Sequence, residues 1–243
     1  MSELFEPIAE AGKTKALVCF PYGGGWSSIF HPWEHFVDET IAVVPIQFPG
    51  RGARMDEPSY SDLSRLIEDT AESLSRIDLP LYLYGGCFGG MCAYETARRL
   101  EEIYHIHVEA LFLNSLFAPH LIDNSEKIGD LPEAVFISKI REKGELPNEV
   151  LDDEEVLAFL LDGIAADYKL YESYRYCDHG NKLQTNLHLF CKSHDELMDP
   201  KYLAWQDYMQ RDIHTHLIET QNLFQETALQ NIAESINTII KGE

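Results

Sequence analysis

The sequence predicts an α/β fold with a mostly parallel sheet covered by helices on both faces, and two observations predict it. Short runs rich in Val, Ile and Leu recur between Gly/Pro clusters, and segments with apolar residues spaced three and four apart alternate with them. Strands of a parallel sheet are buried on both faces, so they read as near-continuous apolar runs rather than as alternating ones. The pattern continues without internal repeats or low-complexity tracts, and one domain spanning residues 1–243 is expected.

The elements follow in order. Residues 16–20 and 41–47 are the first two strands, with a short helix at 29–37 between them. Residues 60–77 repeat Leu63, Leu66, Ile67, Thr70 and Leu74 on one face behind Ser59 and Ser61 as candidate N-caps, which predicts an amphipathic helix. A third strand at 81–84 runs through a Gly-rich turn at 85–90 into a helix reaching Leu100. Further strands are expected at 108–114, 187–191 and 213–219, and a closing helix at 225–240. Residues 131–176 break the alternation: they are helix-like throughout, punctuated by Pro132 and Pro147, where a single crossover would suffice. An insertion at about 128–180 over the carboxyl edge of a sheet reads as a lid or channel wall, and the plainer alternative is a structural elaboration.

Composition narrows the function. The net charge is −22, with 41 acidic against 19 basic residues and no basic run, which disfavours nucleic-acid phosphates and anionic lipid as partners. No apolar run approaches the roughly 20 residues of a membrane span. The first ten residues carry no basic start and no apolar stretch of the kind that targets a chain for export. Five cysteines form neither a disulfide framework nor a CxxC metal pattern, so a reducing cytoplasm is expected, with neither metal nor cofactor.

The chemistry concentrates in Tyr84-Gly85-Gly86-Cys87-Phe88-Gly89-Gly90. A strand entering a Gly-flanked residue that opens a helix is the context of a nucleophile elbow, G-x-S-x-G, where the strained turn demands glycine two residues before and two after the nucleophile. Gly85 and Gly89 satisfy both demands, and Cys87 stands where Ser is usual. A helix N-terminus favours its thiolate. The bland alternative is a small buried cysteine, as Cys19, Cys92, Cys177 and Cys191 are expected to be. An oxyanion hole needs the N–H of the residue after the nucleophile, Phe88, and one from the loop after an early strand. Phe20-Pro21-Tyr22-Gly23-Gly24-Gly25 supplies that loop, with Gly23 as the second donor; it lacks the Lys-Ser/Thr ending of a phosphate-binding loop.

Several further segments resemble one family, the external type II thioesterases of nonribosomal peptide and polyketide assembly lines. They are the Gly-rich loop followed by Pro32-Trp33, Gln47-Phe48-Pro49-Gly50-Arg51-Gly52, Tyr94-Glu95-Thr96-Ala97-Arg98-Arg99-Leu100, Ala118-Pro119-His120, Ala166-Asp167-Tyr168 and Glu172-Ser173-Tyr174-Arg175-Tyr176. The resemblance runs through nearly the whole chain. It implies an α/β-hydrolase fold with a helical lid, and an enzyme that works on acyl groups held on the phosphopantetheine arms of carrier proteins.

The departures from that family matter most. Its G-H-S-x-G becomes Gly86 and Cys87 here. The triad acid is expected after the strand 187–191, and Asp195 matches. The general base should be a His in the loop after the last strand, where this chain has Asn222, and an amide cannot take a proton. His194, beside Asp195, is the candidate replacement base. His31, His35, His120, His179, His188, His214 and His216 read as packing or surface residues. Cysteine is partly thiolate near neutral pH and needs less help than serine, so Cys87 can accept an acyl group by thioester exchange. Hydrolysing the acyl-Cys87 needs an activated water, so transfer to a thiol, amine or carbanion, including cyclisation, is favoured over hydrolysis. The alternatives are an editing hydrolase with a displaced His and a non-catalytic carrier-binding pseudoenzyme. Contacts to an acidic carrier protein are expected from Arg51, Arg54, Lys139, Arg141 or Lys143.

Overall fold

The computed structural model describes residues 4–6, 8, 12–122, 125–143, 151–177 and 180–242. Strands β1 (Lys15–Phe20), β2 (Ile41–Pro45), β3 (Leu81–Gly86), β4 (Val108–Asn114), β5 (Asn186–Cys191) and β6 (His214–Leu217) form one sheet in the order β2-β1-β3-β4-β5-β6. Every neighbouring pair runs parallel. The longer helices are α1 (Leu63–Leu74), α2 (Phe88–Arg99), α3 (Glu133–Lys143), α4 (Glu154–Ser173) and α5 (Glu226–Gly242). Among the described residues no helix is long and apolar enough to cross a membrane.

The strands are apolar on both faces because each face is covered. Along β1, Val18 and Phe20 pack with Leu66, Ala71 and Leu74 of α1 and Met91, Ala93 and Ala97 of α2. Leu17 and Cys19 point the other way, toward Phe30, Trp33 and the α5 stripe Ala228, Leu229, Ile232, Ala233, Ile236 and Ile240. Burying each of those isoleucines contributes about 1.5–3 kcal/mol relative to leaving it in water. The lid has its own small core of Ile128, Phe136, Ile140, Leu157, Ile164 and Tyr168. Its base is tied down where the Glu172 carboxylate accepts from the Ile128 and Gly129 N–H groups, at 2.6 and 3.1 Å, and where Tyr174 OH donates to Glu95 at 2.6 Å.

Two local expectations change. The segment expected as a helix at 29–37 is a 3-10 helix, Ser27–His35, with Pro32 inside it; proline lacks the N–H that an α-helical turn would use there. Helix α1 is capped by Asp62, whose carboxylate accepts from Ser64 N–H at 2.9 Å, and not by Ser59 or Ser61. Ser59 is engaged elsewhere, its Oγ filling the space a Cβ would take at Gly50, which has φ +80°.

Three of the histidines stack at the β5/β6 edge. His188 lies 4.9 Å from His214 and 5.1 Å from His216 by ring centroids, and its Nδ1 is 2.9 Å from His216 Nε2. Burial, then the neighbouring imidazoles, press the His188 pKa down to about 3, and burial lowers His216 as well. Both are neutral in the fold at pH 7, whereas in the unfolded chain each takes a proton near pH 6.5. Below that pH the unfolded state binds more protons, so stability falls as pH drops: His188 contributes from about 6.5 toward 3, by up to about 1.4 kcal/mol per pH unit, and His216 acts in the same direction. The urea midpoint is therefore expected to drop between pH 7 and pH 5, and His188→Gln to flatten that dependence by about one proton; an unchanged slope in the variant would assign the loss to other groups.

Candidate active site

Cys87 sits between the last residue of β3 and the first of α2, at φ 49° and ψ −119°. That backbone region is strained for any residue with a side chain, and the surroundings impose it. The Cys87 N–H donates to the Asn114 carbonyl at 3.1 Å, and its own carbonyl accepts from Met91 N–H at 3.0 Å to start the helix. The flanking glycines have no room for a Cβ: at Gly85 it would stand 2.3 Å from Gly89 O, and at Gly89 it would stand 2.5 Å from Phe20 O and Pro21 O. Those obstacles are backbone atoms that cannot swing aside. Gly86 is equally confined, by Asn114 Oδ1 at 2.4 Å and Phe224 Cε1 at 2.8 Å. Its glycine thus answers to two residues distant in sequence.

Cys87 is half-buried and shares a cleft with Tyr22, Gly23, Phe88, Asp167, Tyr168 and Tyr171. The cleft is narrow, with room for little more than one water molecule, about 20 Å3, and opens to solvent. Gly23 and Phe88 face one another, a Cβ at Gly23 lying 3.7 Å from Phe88 Cβ. Among the described residues no carbonyl or side chain accepts from the N–H of either. Cys87, Gly23 and Phe88 are brought together by the ends of β1 and β3.

The other candidates are not in that cleft. Asp195 lies in the first turn of the short helix His194–Leu197 and is exposed; among the described residues its carboxylate has no hydrogen-bond or ion-pair partner. Asn222 turns back on its own loop, its Oδ1 accepting from Phe224 N–H at 2.8 Å and its N–H donating to Thr220 Oγ1 at 3.2 Å. His194 is exposed at the start of its helix. No histidine is among the described residues lining the cleft. His31 and His35 are exposed, His120 meets Tyr208 OH at 2.5 Å, and His179 lies outside the described residues. Of the remaining cysteines, burial pushes the thiols of Cys19, Cys92 and Cys191 up, the last to about 12. Cys177 is exposed, because it follows α4 on the way out of the lid rather than packing within it.

The expected carrier-contacting cations are differently employed. Arg51 is 5% exposed and clasps Asp167 of α4 in a bidentate pair, both N–O distances 2.6 Å. Arg54 pairs with Glu57, Lys139 with Glu126 and Arg141 with Asp152, at 2.7, 3.0 and 2.7 Å; the Lys143 side chain lies outside the described residues. Sequence reasoning held Asp167 only as part of a family-like segment and missed its place in the cleft, although a carboxylate between Ile164 and Tyr168 on an otherwise apolar helix stripe was a signal of a buried partner.

The crowding at Gly86 sets a test. Gly86→His, which installs the family's usual side chain, is expected to destabilise the protein by about 1–3 kcal/mol through overpacking. Adding Phe224→Ala should recover part of that loss in urea denaturation; strictly additive losses would mean that the two positions do not compete for space.

The chain was compared with known proteins. The family described as "Thioesterase domain" matches residues 15–240. Linear gramicidin dehydrogenase LgrE of Brevibacillus parabrevis is 30% identical over 248 residues, covering 98% of this chain and 94% of that protein. Gramicidin S biosynthesis protein GrsT of Aneurinibacillus migulanus is 32% identical over 161 residues, 66% of this chain and 63% of that one. The solved structure of RedJ, a thioesterase from the prodiginine pathway of Streptomyces coelicolor, superposes with a TM-score of 0.83 at 27% identity, covering 96% of this chain and 88% of its own. With a six-stranded parallel sheet of α/β-hydrolase type and a nucleophile elbow at its centre, the chain belongs to the thioesterase domain family and is an enzyme that acts on thioesters.

Proposed function

We propose that this enzyme takes acyl or peptidyl groups from the phosphopantetheine thioesters of carrier proteins in nonribosomal peptide or polyketide biosynthesis, holds them as a thioester on Cys87, and passes them to a second nucleophile by acyl transfer or cyclisation faster than to water. One observation carries the reading: a cysteine occupies the strained elbow, and no histidine is among the described residues lining its cleft. The gramicidin and prodiginine relatives support the biosynthetic setting. The dehydrogenase activity in the name of LgrE is not carried over. A dinucleotide pyrophosphate would need an open glycine-rich turn after β1, and Ile164 Cγ1 of the lid stands 2.3 Å from where a Cβ would lie at Gly24.

The chemistry runs as follows. The Cys87 thiolate attacks the thioester carbonyl carbon, and the negative charge that forms on oxygen is met by the Gly23 and Phe88 N–H donors. Collapse re-forms the carbonyl, breaks the bond to the phosphopantetheine sulfur and releases it as a thiolate, which takes up the proton that Cys87 gave to solvent. One thioester has replaced another, so this half-reaction is near thermoneutral. A second thiol, amine or carbanion then attacks the same carbon through the same oxyanion site and expels Cys87. Water is the poor competitor because, among the described residues, no histidine lines the cleft to deprotonate it. Hydrolysis assisted by His194 draws no support from its exposed place outside the cleft.

Incubation with a panel of acyl-carrier proteins is expected to add the acyl mass to Cys87 in intact-protein mass spectrometry, and Cys87→Ser to show no adduct. Tight carrier binding with Cys87 unmodified throughout would falsify the covalent reading and favour a carrier-binding scaffold. Asn222→His, read by the rate of free-acid release, should raise hydrolysis by about 100-fold if its imidazole reaches the cleft; no gain would mean that the base of the family's triad does not act from this position.

A further inference from the structure

We propose that Asp167 is the positioning residue of the oxyanion site, so that the site is assembled only while the lid helix α4 is seated. The proposal rests on the reading of Cys87 as the attacking group. It begins with what holds the loop at residues 21–25. Gly25 N–H donates to Tyr22 O at 2.7 Å, Gly24 N–H donates to Asp167 Oδ2 at 2.7 Å, Arg51 Nη1 donates to Gly25 O at 3.3 Å, and the Tyr22 ring packs 4.9 Å from that of Phe224.

The first of these decides where the oxyanion donor points. A trans peptide is planar, so holding the Tyr22 carbonyl toward Gly25 sends the Gly23 N–H of the same peptide unit the opposite way. Gly24, third in that turn, adopts φ +77°, which glycine takes freely, so its neighbours set where the turn sits rather than its conformation. Those neighbours are the Asp167 carboxylate, and Ile164 of the preceding helical turn, which fills the space beside Gly24.

Asp167 can do this because Arg51 holds it. The guanidinium lies 5.6 Å over the Phe48 ring and engages both carboxylate oxygens at 2.6 Å, one of which also takes the Gly24 N–H. Arg51 belongs to the turn after β2, Asp167 to α4 and Gly24 to the turn after β1, so three elements meet at one carboxylate that is 3% exposed. Asp167 also lines the cleft with Cys87, Gly23 and Phe88. The cleft as it stands is little wider than one water molecule, about 20 Å3, and Asp167, Tyr168 and Tyr171 of α4 line one side, so an entering acyl arm displaces α4. Displacement removes Asp167 from Gly24 and releases the loop, and reseating rebuilds the donor over the bound carbonyl. Activation of the thioester is thereby coupled to enclosure of the acyl group.

The test separates positioning from folding and from the nature of the nucleophile. Three proteins are compared, wild type, Asp167→Asn, and the double variant Arg51→Met with Asp167→Leu, which replaces the buried pair by apolar groups without leaving a lone charge. Each is assayed for Cys87 acylation by an acyl-N-acetylcysteamine thioester and for Cys87 alkylation by iodoacetamide, a displacement that develops no oxyanion. The double variant is expected to lose about 100-fold or more in acylation, the effect of an oxyanion donor, with alkylation within about threefold of wild type. Acylation at the wild-type rate in the folded double variant, or equal loss of both reactions, overturns the proposal. If the double variant does not fold, Asp167→Ala, which removes the acceptor for the Gly24 N–H, carries the same comparison. Should wild type be alkylated yet never acylated, the covalent reading fails and positioning is still decided by amide exchange: Gly24 protected in wild type and exposed in the variants upholds it, and equal protection refutes it.

Discussion

The strained backbone of Cys87 is the constraint around which the molecule is arranged. An L-residue at φ 49° and ψ −119° persists only where its neighbours leave no alternative, and here the neighbours are rigid. The end of β4 takes its N–H, α2 takes its carbonyl, and the carbonyls of Phe20 and Pro21 press so close to Gly89 that nothing larger than hydrogen fits. Parallel strands on both sides of β3 hold those carbonyls in place, and the helices on each face hold the strands. The sheet holds one sulfur atom at its carboxyl edge. The same rigidity gives the chain a defined place for chemistry that does not depend on the residue at 222: the elbow and its proposed donors are built by backbone, whereas a base is supplied by a side chain.

A second, softer framework overlies the first. The lid is tied to the sheet by few polar contacts, of which the Arg51–Asp167 pair is the most buried, and the pair reaches the glycine-rich loop through Gly24. A buried ion pair offers little net stability, since desolvation offsets most of its attraction. Its value lies in direction, because a carboxylate gripped in two places can hold an amide where an apolar contact could not. Hydrophobic packing keeps α4 in the neighbourhood, and the ion pair sets its register.

Much of this could be read from the sequence, and physics separates the legible from the rest. The strands were legible because burial on both faces leaves uninterrupted apolar runs, and the elbow because its glycine requirement is local, set by residues two positions away. The lid was legible as an excess of helix between β4 and β5. Gly86 was read only as a missing histidine, because Asn114 and Phe224, which require it, are remote in sequence. Arg51 was read as a surface cation for the same reason: its partner lies 116 residues away, and net charge says nothing of where one guanidinium is spent. The direction in which Asn222 points was also illegible, since sequence order places a residue on a loop and the loop's own hydrogen bonds then aim the side chain.

The central claim is that Cys87 exchanges thioesters but does not hand them to water. It is tested most directly by following a single turnover of stoichiometric acyl-carrier protein in 18O-enriched water, with and without an added thiol acceptor. The account expects a long-lived acyl-Cys87 that is drained by the thiol into a new thioester, with little 18O appearing in free acid. Appearance of 18O-labelled acid at the rate at which the adduct decays, unaffected by the thiol, would contradict it.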